Sequence, residues 1–450
     1  LTGRAKGPSN NAFLKPGADF TLATGRASSP PYLTGAESDR PSQNHAFLTM
    51  NAIDISPMTG PYGSLRDYLR HPRRGLVMLL YLPFVLLLRA TPWRFMCIKS
   101  RIGDMVIQVD WFLKRQALGE LPSIRPILFF DDDPRPNAAL VKAWARHIPV
   151  AANPFFRALI FPLTHFPGLR FDLRPAVYTE PVDYPRVAKA WAKRPPFLTL
   201  SEEVRTQCER NLRDMGVPSG AWFVCVNARD NVYTPGADPQ QTARNCDIAN
   251  CEKAVDEILA RGGWCLRMGE PHTKPLQARA GVINYPDTAF KSDAMDLYLG
   301  MNARFFLGNS SGIYTVSTAA GVPSALANMI PLGTCYGFGA RDISIVKFLR
   351  DEAGRTLHFG EIFASYLSRL SYFAPHAEKH IPVENTADEI RDLAVEMLDV
   401  LDGRMEYTAE DEALQQAFRS LMNERHYTYG APGRIGRNFL RQNAHLLTAG

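Results

Sequence analysis

From about residue 93 onward, short apolar runs alternate with longer segments whose apolar residues fall three and four positions apart. WRFMCIKS reads as a first strand, and RIGD (Arg101 to Asp104) as the tight turn after it. MVIQVDWFLKRQAL then has the spacing of an amphipathic helix. RPILFF is a second strand ending at Asp131-Asp132-Asp133, and NAALVKAWARHI and ANPFFRALIFPL are predicted helices. The proline-rich stretch 167–200 reads as an extended connection between domains. SEEVRTQCERNLRDMGV opens on Ser201 as an N-cap without a full capping box, because Val204 stands where an acid would complete it. Gly216 closes that helix.

The second half keeps the alternation. AWFVCVNAR, WCLRMG, GVINYP, ARFFLG and VPSALAN read as strands. CDIANCEKAVDEILARGG, DAMDLYLGMN and IYTVSTAAG read as the helices between them, and TADEIRDLAVEMLDVLDG and DEALQQAFRSLMNERH as a helical tail. Strands separated by helices and joined by short glycine-bearing turns predict an α/β fold with a parallel sheet covered on both faces.

A chain of 450 residues exceeds one hydrophobic core, so two domains are expected. The boundaries predicted are an acceptor domain with linker at 91–200, a nucleotide-sugar domain at 201–400 and a helical tail at 401–450. Residues 1–60, rich in Gly, Pro, Ser, Asn and Thr, read as a disordered or non-native extension, with Met50 and Met58 as alternative starts. Residues 61–90 differ. RHPRR (Arg70 to Arg74) precedes an apolar run from Leu76 to Leu88 that is shorter than the ~20 residues of a spanning helix and is interrupted by Pro83. Two readings stand: a helix lying on the inner-membrane surface with its basic flank on anionic headgroups, or a buried helix of the first domain.

The net charge of +6 suits nucleotide diphosphates or an anionic membrane and is too weak to argue for nucleic acid. The seven cysteines form no CxxC and no zinc-spaced cluster with histidine, which predicts free thiols in a reducing cytoplasm.

In a parallel α/β sheet, ligands bind beyond the carboxyl ends of the strands. The foremost candidate there is LGNSSGIYTVSTAAGVP, where Asn309, Ser310, Ser311 and Gly312 join a buried strand to a helix and could receive a diphosphate. The plain alternative is a serine-capped turn. Arg229 and Arg267 close two strands and could fork onto phosphate oxygens, or else form salt bridges with Asp230 or Glu270. Gly269 permits close backbone approach, Glu270 could hold a ribose, and Lys347 is a further phosphate candidate. Lys291, Asp293 and Asp296 cluster at a helix start, where carboxylates also favour the dipole.

The strand–SSG–helix–GVP arrangement resembles the donor-binding segment of GT-B glycosyltransferases such as the heptosyltransferases. VCVNARDNVY (224–233), GGWCLRMGEP (262–271), FKSDAMDLYL (290–299) and FFLGNSSGIYTVSTAAGVPSALAN are similar to a bacterial glycosyltransferase family of surface-polysaccharide gene clusters. The resemblance spans roughly 60–448 and is densest across 222–348. It implies two Rossmann-like domains with parallel sheets facing across a cleft. It also implies transfer of a sugar from a nucleotide-diphosphate donor to a cell-surface polysaccharide or lipid-linked glycan, with no cofactor or metal, by a cytoplasmic or peripheral membrane enzyme of the cell envelope. Asp104, after Gly103, is similar to the heptosyltransferase base, so Asp104, Arg229 and Arg267 are the catalytic candidates. Three alternatives stay open. FFDDD (129–133) resembles a GT-A metal site for Mg²⁺ or Mn²⁺; the same architecture could serve a nucleotide-sugar epimerase; and the chain could be a non-catalytic scaffold of a polysaccharide assembly complex.

Overall fold

The structure, a computed structural model, describes residues 72–130, 135–166, 168–191, 194–230, 242–369 and 379–447. All of them fall in one compact unit that spans Ile55–Gly450. The predicted extension 1–60 and the acidic triplet Asp131-Asp132-Asp133 lie outside the described residues.

The first part of the chain forms α1 (Pro72–Arg89), β1 (Trp93–Ile98), α2 (Ile102–Ala117), β2 (Arg125–Phe130), α3 (Ala138–Trp144), α4 (Pro154–Ile160) and α5 (Tyr184–Trp191). β1 and β2 pair in parallel, with Phe95 opposite Ile127. Helix α2 begins one residue after Arg101, so Gly103 and Asp104 occupy its first turn rather than a turn before it. Its residues Met105 to Lys114 are all buried. The charges among them are matched: Lys114 lies 2.6 Å from Asp110, and the Tyr184 hydroxyl donates to the same carboxylate at 2.6 Å. The stretch 167–200 is more ordered than an extended connection, since α5 and a short 3₁₀ turn at Arg174–Ala176 lie within it. Pro175 and Pro185 sit in first-turn positions, where the missing N–H costs no helical bond.

The second part carries α6 (Glu202–Asp214), β3 (Phe223–Val226), α7 (Glu252–Ala260), β4 (Trp264–Arg267), β5 (Val282–Asn284), α8 (Asp293–Asn302), β6 (Phe305–Gly308), α9 (Tyr314–Ala320), β7 (Ser324–Met329) and β8 (Ile343–Val346). Then follow a small antiparallel pair, β9 (Phe348–Arg350) with β10 (Ile381–Val383), and α10 (Phe359–Ala364) between them. The tail forms α11 (Ala387–Leu401), α12 (Ala409–Ser420), β11 (Arg434–Ile435) and α13 (Arg437–Gln442). β3, β6 and β8 are buried at every position, and β4 at all but Trp264. Such continuously apolar strands require cover on both faces.

The seven strands of this sheet run parallel in the order β11-β8-β7-β6-β3-β4-β5. The chain winds outward from β3 through β4 and β5, then returns to β6 and winds the other way through β7 and β8. This is the doubly wound order, with its switch point between β3 and β6. The α/β class is thus observed, with a parallel sheet in each half, two described strands in the first and seven in the second. The cores of the halves meet: Leu297, Val316, Ala319, Phe338 and Tyr427 pack into the cluster built on α2. The tail returns mainly to the second sheet, as β11 beside β8, while Tyr427 accepts the Val182 amide of the first half at 2.8 Å.

Candidate active site

A cavity of about 720 Å³ opens between the two halves. Its walls come from the carboxyl ends of the strands: Ser100–Asp104 after β1, Asn227–Asp230 after β3, Met268–Glu270 after β4, Ser310–Thr315 after β6, and Met329–Pro331 at the end of β7. The volume lies within the ~300–1,000 Å³ typical of small-molecule sites.

The switch point is stitched by side chains. The Asn227 amide donates to Ser311 Oγ at 3.1 Å, and the Arg229 backbone N–H donates to Asn309 Oδ1 at 3.1 Å. Asn309 Nδ2 in turn donates to the Arg244 carbonyl at 2.6 Å. The Arg244 guanidinium donates to the Ser310 carbonyl, with Nε at 3.0 Å. These bonds tie the segment 242–247 to the β3 and β6 turns and bring Arg229 and Arg244 into one wall. Burial pushes Arg244 down to about 10, and the charges of Arg229 and Arg101 push the same way. Arg101, Arg229 and Arg244 thus line one cavity, where their charges act on one another.

The front of α9 contributes less than its sequence suggests. The helix has seven residues, and its N-cap, Ile313, has no side chain able to cap it. The two halves instead come close there, backbone to backbone. A β-carbon added to Gly312 would lie 2.8 Å from Ile102 Cγ2 and 3.1 Å from the Gly103 nitrogen. One added to Gly103 would lie 3.2 Å from Gly312 Cα. A side chain at either position would press on the other turn's backbone, so glycine at both eases their contact.

In the first turn of α2, Asp104 accepts from Gln108 Nε2 at 3.2 Å and from the Tyr178 hydroxyl at 3.3 Å. Burial raises its carboxyl above the ordinary value, against the lowering pull of the Gln108 bond and of Lys99 and Arg101. Asp296 also lines the cavity; burial raises it, and the Lys291 ammonium 2.7 Å away opposes that. Asp293 accepts the Ala138 amide at 2.6 Å, which fastens the front of α8 to the front of α3.

The cavity wall brings together Asp104, Arg229, Gly269, Glu270, Ser310, Ser311 and Gly312 of the predicted residues, with Asn309 buried directly behind it. Arg267 and Lys347 lie outside the wall. Arg267 is buried, and its guanidinium reaches the Ala228 carbonyl at 3.4 Å, Asn227 Oδ1 at 3.5 Å and the Lys274 carbonyl at 3.3 Å. It braces the loop after β3 from below, and burial lowers its pKa. Gly269, at φ +141°, accommodates it, since a β-carbon there would lie 2.9 Å from Arg267 Nη1. Lys347 is buried too and donates to the Asn245 carbonyl at 2.6 Å, while the Asn245 side chain accepts from Arg229. Arg244 and Arg101 were not singled out from sequence; the legible signal was a second arginine in the polar loop after the first strand of the sheet. Among the described residues no group of three His, Cys, Asp or Glu could hold a metal ion. The seven cysteines are all free thiols.

No family model matches the sequence, and no curated protein matches it. Solved glycosyltransferases are similar to it at low identity. A family 9 glycosyl transferase from Veillonella parvula DSM 2008 shares 12% identity at a TM-score of 0.36, over 55% of this chain and 83% of that one. The E. coli ADP-heptose LPS heptosyltransferase II shares 14% at 0.30, over 51% and 83%. The iron-containing dodecameric glycosyltransferase TibC of enterotoxigenic E. coli H10407 shares 12% at 0.31, over 52% and 57%. These are the kinds of protein the sequence resembles. Likeness of this degree carries no argument about the reaction, which rests on the cavity itself.

Proposed function

We propose that this protein is a glycosyltransferase whose cavity holds the diphosphate of a nucleotide sugar against Arg229, Arg244 and Arg101. The observation that carries the reading is that Arg101, Arg229 and Arg244 line one cavity at the carboxyl ends of the strands, with Arg229 and Arg244 beside the switch point of a doubly wound sheet. Their charge stabilises the diphosphate as it leaves, the task a divalent metal performs in other transferases, so the reaction runs without a metal. The Ser310–Gly312 turn and Gly269 leave room for the phosphates and the sugar, and Glu270 meets the ribose. Arg267 and Lys347 act as positioning residues, one beneath Asn227 and the other through Asn245 onto Arg229.

The acceptor enters from the Ser100–Asp104 and Tyr178 side, and a cell-surface polysaccharide or lipid-linked glycan is the class proposed. Asp104 takes the proton of the acceptor hydroxyl as the new oxygen–carbon bond forms at the anomeric centre. The bond from that carbon to the diphosphate oxygen breaks, and the nucleoside diphosphate leaves with its electron pair. A carboxyl raised by burial is a better base than an ordinary aspartate.

Thermal-shift measurements with UDP, GDP, ADP and CMP test the pocket, and nucleotide release from a panel of nucleotide sugars tests the reaction. Stabilisation by a nucleoside diphosphate and release that needs an acceptor are expected. Sugar conversion without acceptor indicates an epimerase, and absence of any nucleotide binding removes the reading.

A further inference from the structure

Helix α1 docks by one narrow stripe. Val85 is buried against Phe95, Phe129, Leu163 and Leu169, and Tyr81 and Leu88 pack partly beside it, at the i, i+4 and i+7 spacing of one helical face. The remainder of the helix should then be polar, as in an ordinary surface helix. Instead Leu79 and Leu87 are 67% and 68% exposed, and Leu80, Phe84 and Leu86 are exposed with them.

Helix α4 carries exposed apolar residues too. The Tyr81 hydroxyl donates to the Leu159 carbonyl at 2.6 Å, which sets α4 against α1. Phe155 at 80% exposure, with Phe156 and Leu159, carries the apolar patch onto α4, and no residue of that helix is buried. From sequence the FFRALIF run reads as core; the structure packs Ile160 and Phe161 against the Val85 cluster and leaves Phe155, Phe156 and Leu159 exposed. Exposed apolar residues of this number, on two helices joined by a hydrogen bond, mark a docking surface.

Charge selects the occupant. No Asp or Glu occurs from Pro72 to Gly103, or from Pro134 to Phe171. Arg73, Arg74, Arg89 and Arg94 fall in the first stretch, and Lys142, Arg146, Arg157 and Arg170 in the second. Arg89 and Arg157 are part of α1 and α4 themselves. An apolar surface borne by two stretches of chain that hold basic and no acidic residues fits the headgroup and acyl boundary of an anionic bilayer. Among the described residues no helix is long and apolar enough to cross a membrane.

We propose that α1 and α4 form one docking face for an anionic lipid bilayer, α1 lying along the surface and Phe155 and Phe156 of α4 inserting beside it. The face is independent of the sugar-transfer reading.

The test is flotation of the purified full-length chain with vesicles of phosphatidylglycerol and phosphatidylethanolamine, against vesicles of phosphatidylcholine alone. Binding is expected to the anionic vesicles, weaker as salt rises, and at least roughly tenfold lower on neutral ones. A Leu79→Glu/Leu87→Glu pair and a single Phe155→Glu change should each lower the bound fraction roughly tenfold, because each puts a carboxylate into the acyl boundary. All three positions are exposed, so the variants should keep the melting temperature and the nucleotide-induced shift of the parent chain. Equal binding to both vesicle types, or none to either, overturns the proposal. So does a Phe155→Glu variant that floats like the parent chain, which would leave α4 outside the face. A dimer in solution that both variants dissociate, without vesicle binding, would assign the patch to a second copy of this chain and equally overturn it.

Discussion

Replacing Arg244 by methionine separates what the cavity does for a ligand from what it does for the fold. The change keeps the length of the side chain and removes its charge. Against the ordinary 12.5, a folded-state value of about 10 means that protonation is less favourable in the native chain than in the unfolded one. At ~1.4 kcal/mol per pKa unit the difference corresponds to ~3 kcal/mol of destabilisation, fully present at every pH below about 10. This is an upper bound, because the side chain is only partly buried and solvent screens it. The guanidinium also donates to the Ser310 carbonyl, and charged hydrogen bonds contribute about 1.5–3 kcal/mol in return. The two effects nearly cancel, so unliganded Arg244→Met should unfold within about 1–2 kcal/mol of the parent chain. Its affinity for a nucleoside diphosphate should instead fall by roughly ten- to a hundredfold, the loss of one charged contact. Urea denaturation measures the first quantity and calorimetric titration the second. A variant that binds the nucleotide within about twofold of the parent would show that Arg244 does not face the phosphates, and the cluster would lose its assigned role.

Three further outcomes follow from the same geometry. Asp104→Asn should lower turnover by about 10²–10⁴-fold. Because burial raises the Asp104 carboxyl, the base form is lost as pH falls through a value above the ordinary 3.8, and the acid limb of kcat/KM should lie correspondingly high; full turnover in the variant removes Asp104 as base. Gly312→Ala forces a methyl group onto Ile102, which can rotate, and onto the Gly103 backbone nitrogen, which cannot. It should cost about 1–3 kcal/mol in urea denaturation, and an unchanged midpoint would mean that the two turns do not touch in solution. Turnover should persist in EDTA; complete loss restored by Mn²⁺ would move diphosphate binding to Asp131-Asp132-Asp133.

Much of the architecture was readable from local pattern. β1, β2, β3, β4 and β6 fall on the apolar runs assigned to them, because a strand buried on both faces must be apolar throughout. Ser201 caps α6 by accepting the Val204 amide at 3.3 Å, and Gly216 at φ +100° ends it, both dictated by residue type. The site was half legible. Arg229 and the Ser310–Gly312 turn stand at strand ends, and chain connectivity alone brings strand ends to a cleft. Arg267 stands at a strand end too, yet its side chain runs under the loop to Ala228 and Lys274. Which way such a long side chain turns depends on what packs beside it, and the residues concerned are 7 and 39 positions away.

The residues by themselves determined the alternation of elements, their caps and the parallel character of the second sheet, because period, turn chemistry and burial act over a few positions. Tertiary structure alone decided three things: that Arg244 and Arg101 line the same cavity as Arg229, that Gly103 meets Gly312, and that Phe155 is exposed. Each depends on where distant segments come to rest. A guanidinium takes its role from the charges around it, and an apolar side chain from whether anything covers it; neither is written in the neighbouring sequence.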